Sequence, residues 1–524
     1  MVRNSKRGNT MSNSETSPKR SGRRRFLQNL GLAAAGASVV GASAAAPVAR
    51  REVTQWDAQT DVLVMGSGAG GVSAAIEARR HGAQALVLEK FQVLGGSSSL
   101  SGGVCYMGGG TPLQKALGFE DSVEAMYNYL IAASGPYASR DKIQQYCEGS
   151  LGHFQWMMDN GVKYSQRFSK EKELSHAEDS LYYSGNERVY PYCDIARPAP
   201  RGHVPPAHNQ TGGRELMKTL IASAQKLGAQ FRTNVSCERL IQESDGSVVG
   251  VQVVEENGER RNIRARKGVV LAAGGFIHNP DMLQLYAPEL VPCRPHWGRA
   301  GDLGMGILMG MGAGAGTLRM HHGMVVLPLY PPENVLKGIM VNRHGQRFVP
   351  EDSYYGVLGH EALFHQDGRG YLIVDADSDY PGPDYRVVVA QQADTVAELE
   401  RKLEMAERAL QQTVDYYNRF ARKGQDPLLR KNEHYVGALV KPPFKAYSLN
   451  KENTFYAVLT FGGLHTNVDA QVIHAMGDPI PGLYAAGRTS AGLPVAPYHA
   501  SGLSVGDGTF FGRRAGTHAA QRGV

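Results

Sequence analysis

At 524 residues and 42% hydrophobic content the chain is globular, with length for two or three domains and apolar material for a sizeable core. Its formal charge of +7 invites a nucleic-acid reading, but residues 1–50 hold nine Lys/Arg and one acid, so the whole excess sits in this leader and the remainder carries −1. The five cysteines, Cys105, Cys147, Cys193, Cys237 and Cys293, are scattered without a CxxC or CxxCH spacing, which gives no support to structural zinc, an iron–sulfur cluster or attached haem and assigns no metal ligand.

In the leader, Ser21-Gly-Arg-Arg-Arg-Phe-Leu27 precedes a weakly apolar Ala/Gly-rich run from Asn29 to Ala46, the pattern of a twin-arginine export signal. Ala42, Ala44 and Ala46 suit a cleavage site. The run is too interrupted for a stable membrane span, so a periplasmic protein is expected. Asp61 to Met65 then reads as a buried strand, and Gly66, Gly68 and Gly71 supply the tight turn, the close approach to a pyrophosphate and the helix-on-strand contact of a dinucleotide fingerprint. With Ala69 and Gly70 they open a helix from about Gly70 to His81, whose N-terminus suits phosphate. A second strand, Ala85–Leu88, ends in Glu89, about 20 residues beyond the glycines, where a ribose diol needs an acceptor.

The polar, glycine-rich loop Val93–Gly103 follows. It can turn the amides and hydroxyls of Gly95, Gly96, Ser97, Ser98, Ser101, Gly102 and Gly103 toward the cofactor. Residues 112–160 show helical core periodicity at Met126, Tyr129, Leu130, Phe154, Met157 and Met158, whereas 163–210 are polar, aromatic and proline-rich and read as an irregular excursion or flap. From Gly212 come a helix to about Leu227, a stretch from Gln230 to Ile241, and two strands, Val248–Glu255 and Arg261–Arg266, joined at Asn257-Gly258. The buried strand Gly268–Phe276 carries Ala272, Ala273 and Gly274 at its end, and Gly301–Gly304 opens a helix through Gly312.

Residues 322–458, including a charged helix at 394–422, differ in character and read as an inserted α+β cap. The final block, 459–524, returns with Pro481-Gly-Leu-Tyr-Ala-Ala-Gly-Arg488 and a helix starting near Ser501. The fold class is therefore α/β: a Rossmann-like FAD-binding domain in two pieces, 51–321 and 459–524, around a cap and behind a leader at 1–50. The two glycine-rich stretches, four hundred residues apart, together describe one flavin dinucleotide, FAD.

With these residues in view the chain resembles the fumarate reductase/succinate dehydrogenase flavoprotein superfamily, in particular its flavin-dependent 3-ketosteroid dehydrogenases. The signatures are the fingerprint, Leu271-Ala-Ala-Gly-Gly-Phe276, Gly338–Val349, Gly482–Arg488 and Ser501–Arg513. The resemblance adds Lys90, Val235, Asp302, Gly487, Arg488, Ser501, Leu503, Ser504 and Val505 to the cofactor contacts. It implies non-covalent FAD, because Ser98 and Ser99 stand where succinate dehydrogenases carry a linking histidine. The arginines with which fumarate reductases grip a dicarboxylate are missing from Glu351–Tyr355 and Pro497–Gly502. The Tyr-x-Ser-Gly motif of the ketosteroid branch is matched at Ser501 and Gly502, with His499 in the tyrosine position and Tyr498 beside it.

Desaturating a bond next to a ketone requires removal of the α proton, polarisation of the carbonyl and transfer of the β hydrogen to flavin as hydride. Tyr354, His499 or Tyr498 can take the proton with Ser501 as partner, and the Gly502 amide at a helix start can polarise the carbonyl. His321-His322 read as hinge packing, and His465 lies in a region near the flavin ring. The expected substrate is an uncharged cyclic ketone and the electron acceptor is external, with no nucleic acid as partner. An ene-reductase and a non-catalytic flavin carrier stand as alternatives.

Overall fold

In the computed structural model, which describes residues 46–523 except 173–175, 208–210, 331 and 381–386, the chain enters the fold at a short strand, β1 (Val48–Ala49). The twin-arginine motif and the run up to residue 45 lie outside the described residues, and Val48 and Ala49, within the stretch read as leader, already pair with Ile241 and Gln242. The main sheet is built from β2 (Ala58–Met65), β3 (Ala85–Leu88), β4 (Gln230–Arg232), β5 (Ser236–Gln242), β6 (Val248–Val254) and β7 (Arg260–Leu271), in the order β1-β5-β6-β7-β2-β3-β4. Both faces of β2 are buried: Val62 and Val64 pack against the helix α1 (Ala69–Arg80), and Leu63 and Met65 pack on the opposite face. That is why the strand reads as a continuous apolar run instead of an alternation.

One difference from the sequence reading concerns β7. The two strands expected at Arg261–Arg266 and Gly268–Phe276 are one, interrupted by a register shift between Ala265 and Gly268. Before the shift β7 pairs antiparallel with β6. After it, Val269 to Leu271 pair with a strand from the C-terminal block. On its other edge β7 stays paired parallel with β2 on both sides of the shift, so only one edge of the long strand exchanges neighbours.

The cap segment leaves and rejoins through two antiparallel strands, β8 (Gly323–Val326) and β13 (Ala457–Thr460), in register from Gly323↔Thr460 to Val326↔Ala457. Between them, β9 (Ile339–Asn342), β10 (Gly370–Val374), β11 (Val389–Ala393) and β12 (Phe444–Ser448) form an antiparallel sheet of order β9-β10-β12-β11. The charged stretch 394–422 is two helices, Val396–Lys402 and Ala409–Ala421, because Glu404 and Arg408 adopt left-handed conformations between them. A buried ion cluster sits in this segment. Arg347 forks onto Glu351 at 3.0 and 2.7 Å and onto Asp426 at 2.8 and 2.9 Å, while Lys431 Nζ lies 3.0 Å from Glu351. Burial opposes ionisation of Glu351, but the two cations outweigh it and hold its carboxyl below the usual range. Breaking such a cluster costs about 3–5 kcal/mol, so the chain just ahead of Tyr354 is firmly fixed.

The excursion at 163–210 is anchored. Leu181–Tyr182 and Gly202–His203 form a small sheet with Cys105–Tyr106, and Arg201 makes a fully buried two-point ion pair with Asp121 at 2.6 and 3.0 Å. Of the helical core positions, Met158 is the exception: it is 45% exposed. Among the described residues no helix is long and apolar enough to cross a membrane, and no group of His, Cys, Asp or Glu is arranged to hold a metal.

The C-terminal block supplies β14 (Gln471–Ile473), β15 (Pro479–Ala485), which is the late neighbour of β7, and the helix α2 (Leu503–Gln521). This helix crosses α1 at backbone contact. A Cβ at Gly512 would lie 2.3 Å from the Gly70 carbonyl oxygen, and one at Gly516 would lie 2.1 Å from that of Ala74. Gly516→Val should therefore force the helices apart and cost about 1–3 kcal/mol or more. The check is thermal unfolding of the holoprotein, where an unchanged midpoint would remove this crossing from the account.

Candidate active site

A cavity of about 810 Å³ opens between the C-terminal ends of β2 and β7, the start of α1, the start of α2 and the cap segment. Its cofactor end follows from the fingerprint. Gly66, at φ +99°, turns where a Cβ would lie 2.5 Å from the Ala272 carbonyl oxygen, so no larger residue fits. In front of the next turn the space is open: a Cβ on Gly68 would meet only Ser98 Oγ at 3.5 Å, and one on Gly487 would meet nothing within 4 Å. Ser98 Oγ accepts the Ala69 amide at 3.0 Å, which fixes the loop after β3 against the first turn of α1.

Glu89 Oε2 accepts the Ser67 amide at 3.0 Å and the Ser67 hydroxyl at 2.6 Å, while Oε1 accepts the Phe91 amide. A carboxylate offers about four acceptor sites, so it braces the turn and still has capacity for a ribose hydroxyl. Asp302 ties three distant segments together: its Oδ2 accepts from Ser97 Oγ at 2.8 Å and from Arg488 Nη2 at 2.7 Å. The Nη1 of Arg488 is buried with no acceptor among the described residues. An unpaired guanidinium nitrogen, on a residue that lines one cavity with two open glycine turns and two helix N-termini, has the chemistry of a diphosphate cradle, so the residues present fit FAD.

At the other end two tyrosines share one serine. Tyr354 precedes a short helix, Tyr355–His360, and both phenol oxygens lie 2.7 Å from Ser501 Oγ, with ring centroids 4.1 Å apart. Burial, then the neighbouring Tyr355, pushes the Tyr354 phenol well above its ordinary range. Ser501 is held by the excursion: its amide donates to the Ser184 carbonyl at 2.8 Å and its carbonyl accepts from the Ser184 hydroxyl at 3.0 Å. Asn186 Oδ1 takes the Tyr354 amide at 2.6 Å. Gly502, in a left-handed conformation at φ +95°, caps α2 and lines the cavity, and its amide has no acceptor among the described residues. Met324 and Leu459 from the paired strands β8 and β13, with Val104 and Trp297, supply apolar wall.

The expected cofactor residues Gly66, Gly68, Ala69, Gly70, Glu89, Lys90, Gly96, Ser97, Ser98, Ser101, Gly102 and Gly103 all line this cavity. So do Val235, Ala272, Ala273, Gly274, Asp302, Gly487, Arg488, Ser504 and Val505. Three lie just behind it. Gly71 packs on Gly66, Gly95 packs on Ser99 and gives its amide to Ser67 Oγ, and Leu503 is buried in the core.

Of the proposed bases, Tyr354 and Tyr498 line the cavity and His499 does not. An antiparallel bridge between Gly185 and Ala500 turns His499 backward against the Tyr129 ring, where it is fully buried. There burial lowers its pKa to about 4 and Nε2 has no partner among the described residues. Tyr498 faces the cavity, but its hydroxyl accepts the Ser504 amide at 3.1 Å and burial pushes its pKa to about 12, so it braces the helix start. Neither His321, His322 nor His465 reaches the cavity; His322 Nδ1 accepts the Ala496 amide.

The residue that sequence reasoning missed is Tyr355. Neighbouring side chains diverge along a strand, but at the junction of N-cap and first helical turn both rings swing to one side. The only signal was the doubled tyrosine itself. Two arginines line the cavity, Arg299 and Arg488, and Arg488 is bound to Asp302. Arg347 is spent in the cap, so the substrate end offers no paired guanidinium groups for a dicarboxylate.

Residues 61–502 match the family model described as FAD binding domain. A solved structure of 3-ketosteroid-delta4-(5alpha)-dehydrogenase from Rhodococcus jostii RHA1, in complex with 4-androstene-3,17-dione, superposes with a TM-score of 0.86 at 42% identity, covering 91% of this chain and all of that one. The 3-oxo-5-alpha-steroid 4-dehydrogenase of Comamonas testosteroni is 30% identical over 84% of this chain and 94% of its own length. Urocanate reductase of Eggerthella lenta is 29% identical over 88% of this chain and 74% of its own.

Arg488→Met removes the free guanidinium nitrogen while keeping an unbranched stem. FAD affinity should fall about tenfold or more, the worth of a charged hydrogen bond, read as the FAD-to-protein ratio after gel filtration. Undiminished retention would move the diphosphate elsewhere.

Proposed function

Since the chain belongs to the FAD binding domain family, within the fumarate reductase/succinate dehydrogenase flavoprotein superfamily, we propose that this FAD-dependent oxidoreductase is a 3-oxosteroid Δ4-dehydrogenase. The observation that carries the reading is the Tyr354–Ser501–Tyr355 cluster beside the free Gly502 amide, at a cavity end with apolar walls and no arginine pair among the described residues. FAD, when bound, supplies the acceptor for the hydride from the β carbon. The Gly502 amide, at the positive end of α2, donates to the ketone oxygen and stabilises the enolate that develops there.

The tyrosine–serine cluster takes the α proton. A serine hydroxyl has one hydrogen, so Ser501 donates to one phenol and accepts from the other. That polarises the pair and steadies the phenol that becomes the base. His499, buried and neutral, is a packing residue here. Ser184 and Asn186 are positioning residues, fixing Ser501 and Tyr354 through backbone bonds.

FAD is held non-covalently, as Ser97 to Ser99 suggest by offering hydroxyls and no histidine, and denaturation should release it intact. The electron acceptor is an external one. The twin-arginine motif supports a periplasmic location, to which a folded, cofactor-loaded enzyme is suited. The cap boundaries at about 322 and 458 fit the paired strands β8 and β13.

Anaerobic mixing of the holoprotein with a saturated 3-oxosteroid should bleach the flavin. Bleaching that requires a prior reductant and is reversed by an unsaturated ketone instead makes it an ene-reductase, and no response to any ketone sinks both readings. Tyr354→Phe and Tyr355→Phe should each lower kcat by about 10²–10⁴, and the double variant no further than the worse single one, because the groups act as a unit. His499→Phe should stay within about tenfold of the parent. Because the buried phenol is shifted upward, its base form gains population as pH rises. Turnover should therefore increase through the alkaline range without an inflection in the histidine range, and a histidine inflection would return the role to an imidazole.

A further inference from the structure

One cavity-lining group is foreign to an otherwise apolar substrate end. Lys172, from the excursion, lines the cavity, as do Tyr182 and the two tyrosines. Its Nζ donates to the Asp352 carbonyl at 2.7 Å and sits 5.7 Å from the centroid of the Tyr330 ring. Tyr330 in turn takes the Tyr355 amide on its hydroxyl at 3.0 Å, so the amine stands one aromatic ring away from the Tyr354–Ser501–Tyr355 cluster. An ammonium has three donors, and one is accounted for by the Asp352 carbonyl.

The surroundings decide what the amine suits. Asp352 and Glu333 face it, with Glu187 and Arg188 close by. Glu333 is committed to the Lys172 amide and to the Tyr435 hydroxyl, and Asp352 Oδ2 to the Asn432 amide. Asp352 Oδ1 is buried without a partner among the described residues. Carboxylates thus already face the lysine, which removes the need for one on the ligand, and two of its donors are left without an acceptor among the described residues on a side chain that lines the cavity. A neutral oxygen acceptor satisfies that requirement at little desolvation cost, whereas an added anion would face the existing carboxylates.

We infer that Lys172 is a specificity-determining residue that donates to a second, neutral oxygen, carbonyl or hydroxyl, carried by the ketone substrate away from its reacting ring. This rests on the ketone-dehydrogenase reading above and narrows its substrate class. Such a contact orients a flat, apolar guest that one carbonyl alone leaves free to turn over or slide.

The test uses the FAD-loaded full chain and two saturated 3-oxosteroids, one with a carbonyl at C17 and one lacking it, with binding followed by perturbation of the flavin absorption. The parent should bind the dioxygenated ketone at least about tenfold tighter, and in Lys172→Met that ratio should collapse toward one. Equal binding of the two ketones by the parent overturns the inference whether or not the variant folds, and so does a ratio unchanged in Lys172→Met. Those results leave the dehydrogenase reading intact. Failure of both ketones to bind or to bleach the flavin defeats that reading instead, and the inference with it.

Discussion

The backbone contact between α1 and α2 is the constraint on which the rest of the molecule depends. Two helices that begin more than four hundred residues apart meet through Gly70, Gly512, Ala74 and Gly516 without room for a side chain. The consequence is that both N-termini open on the same cavity, one toward the diphosphate end and the other toward the ketone. Helix dipoles are weak in water but count for more in a crevice screened from solvent. Any spacing wider than backbone contact would set one of them too far from its charge. Large apolar residues at these positions would bury more surface, yet they would take the two functional ends apart.

Around that axis the chain recruits positioning groups from every segment. Asp302 links the loop after β3 to the C-terminal stretch through Ser97 and Arg488. Arg347 locks the chain ahead of Tyr354 in the cap. Ser184 and Asn186 reach in from the excursion and hold Ser501 and Tyr354 by their backbones, leaving the hydroxyls for chemistry. Tyr129 joins the same layer: its hydroxyl takes the Asn186 amide and donates to the His499 carbonyl. The excursion is therefore part of the active-site frame.

The cofactor half was legible because its requirements are local. A turn that excludes Cβ, a strand buried on both faces and an acid about 20 residues on can each be read within a short window. The reacting half was legible only in part. Ser501 and Gly502 follow from the resemblance to the motif of the ketosteroid branch, but the choice between His499 and Tyr354 depends on a bridge to Gly185 that joins residues more than three hundred apart. No local pattern reveals that His499 is turned away. The single strand β7 was divided for the opposite reason: its two halves keep β2 on one edge but have different neighbours on the other, so its residues change pattern where the pairing changes, although the backbone runs on.

The order in which these parts are synthesised has a consequence of its own. Until residues 503–521 have emerged from the ribosome, the fingerprint helix lacks the partner that seats against it and the Gly502 amide has no helix behind it. A nascent chain can offer the nucleotide only half a grip. Stable loading must wait for the C-terminal block, so maturation is a late event, and a chain interrupted before that helix would be an apoprotein with its apolar crevice open to solvent.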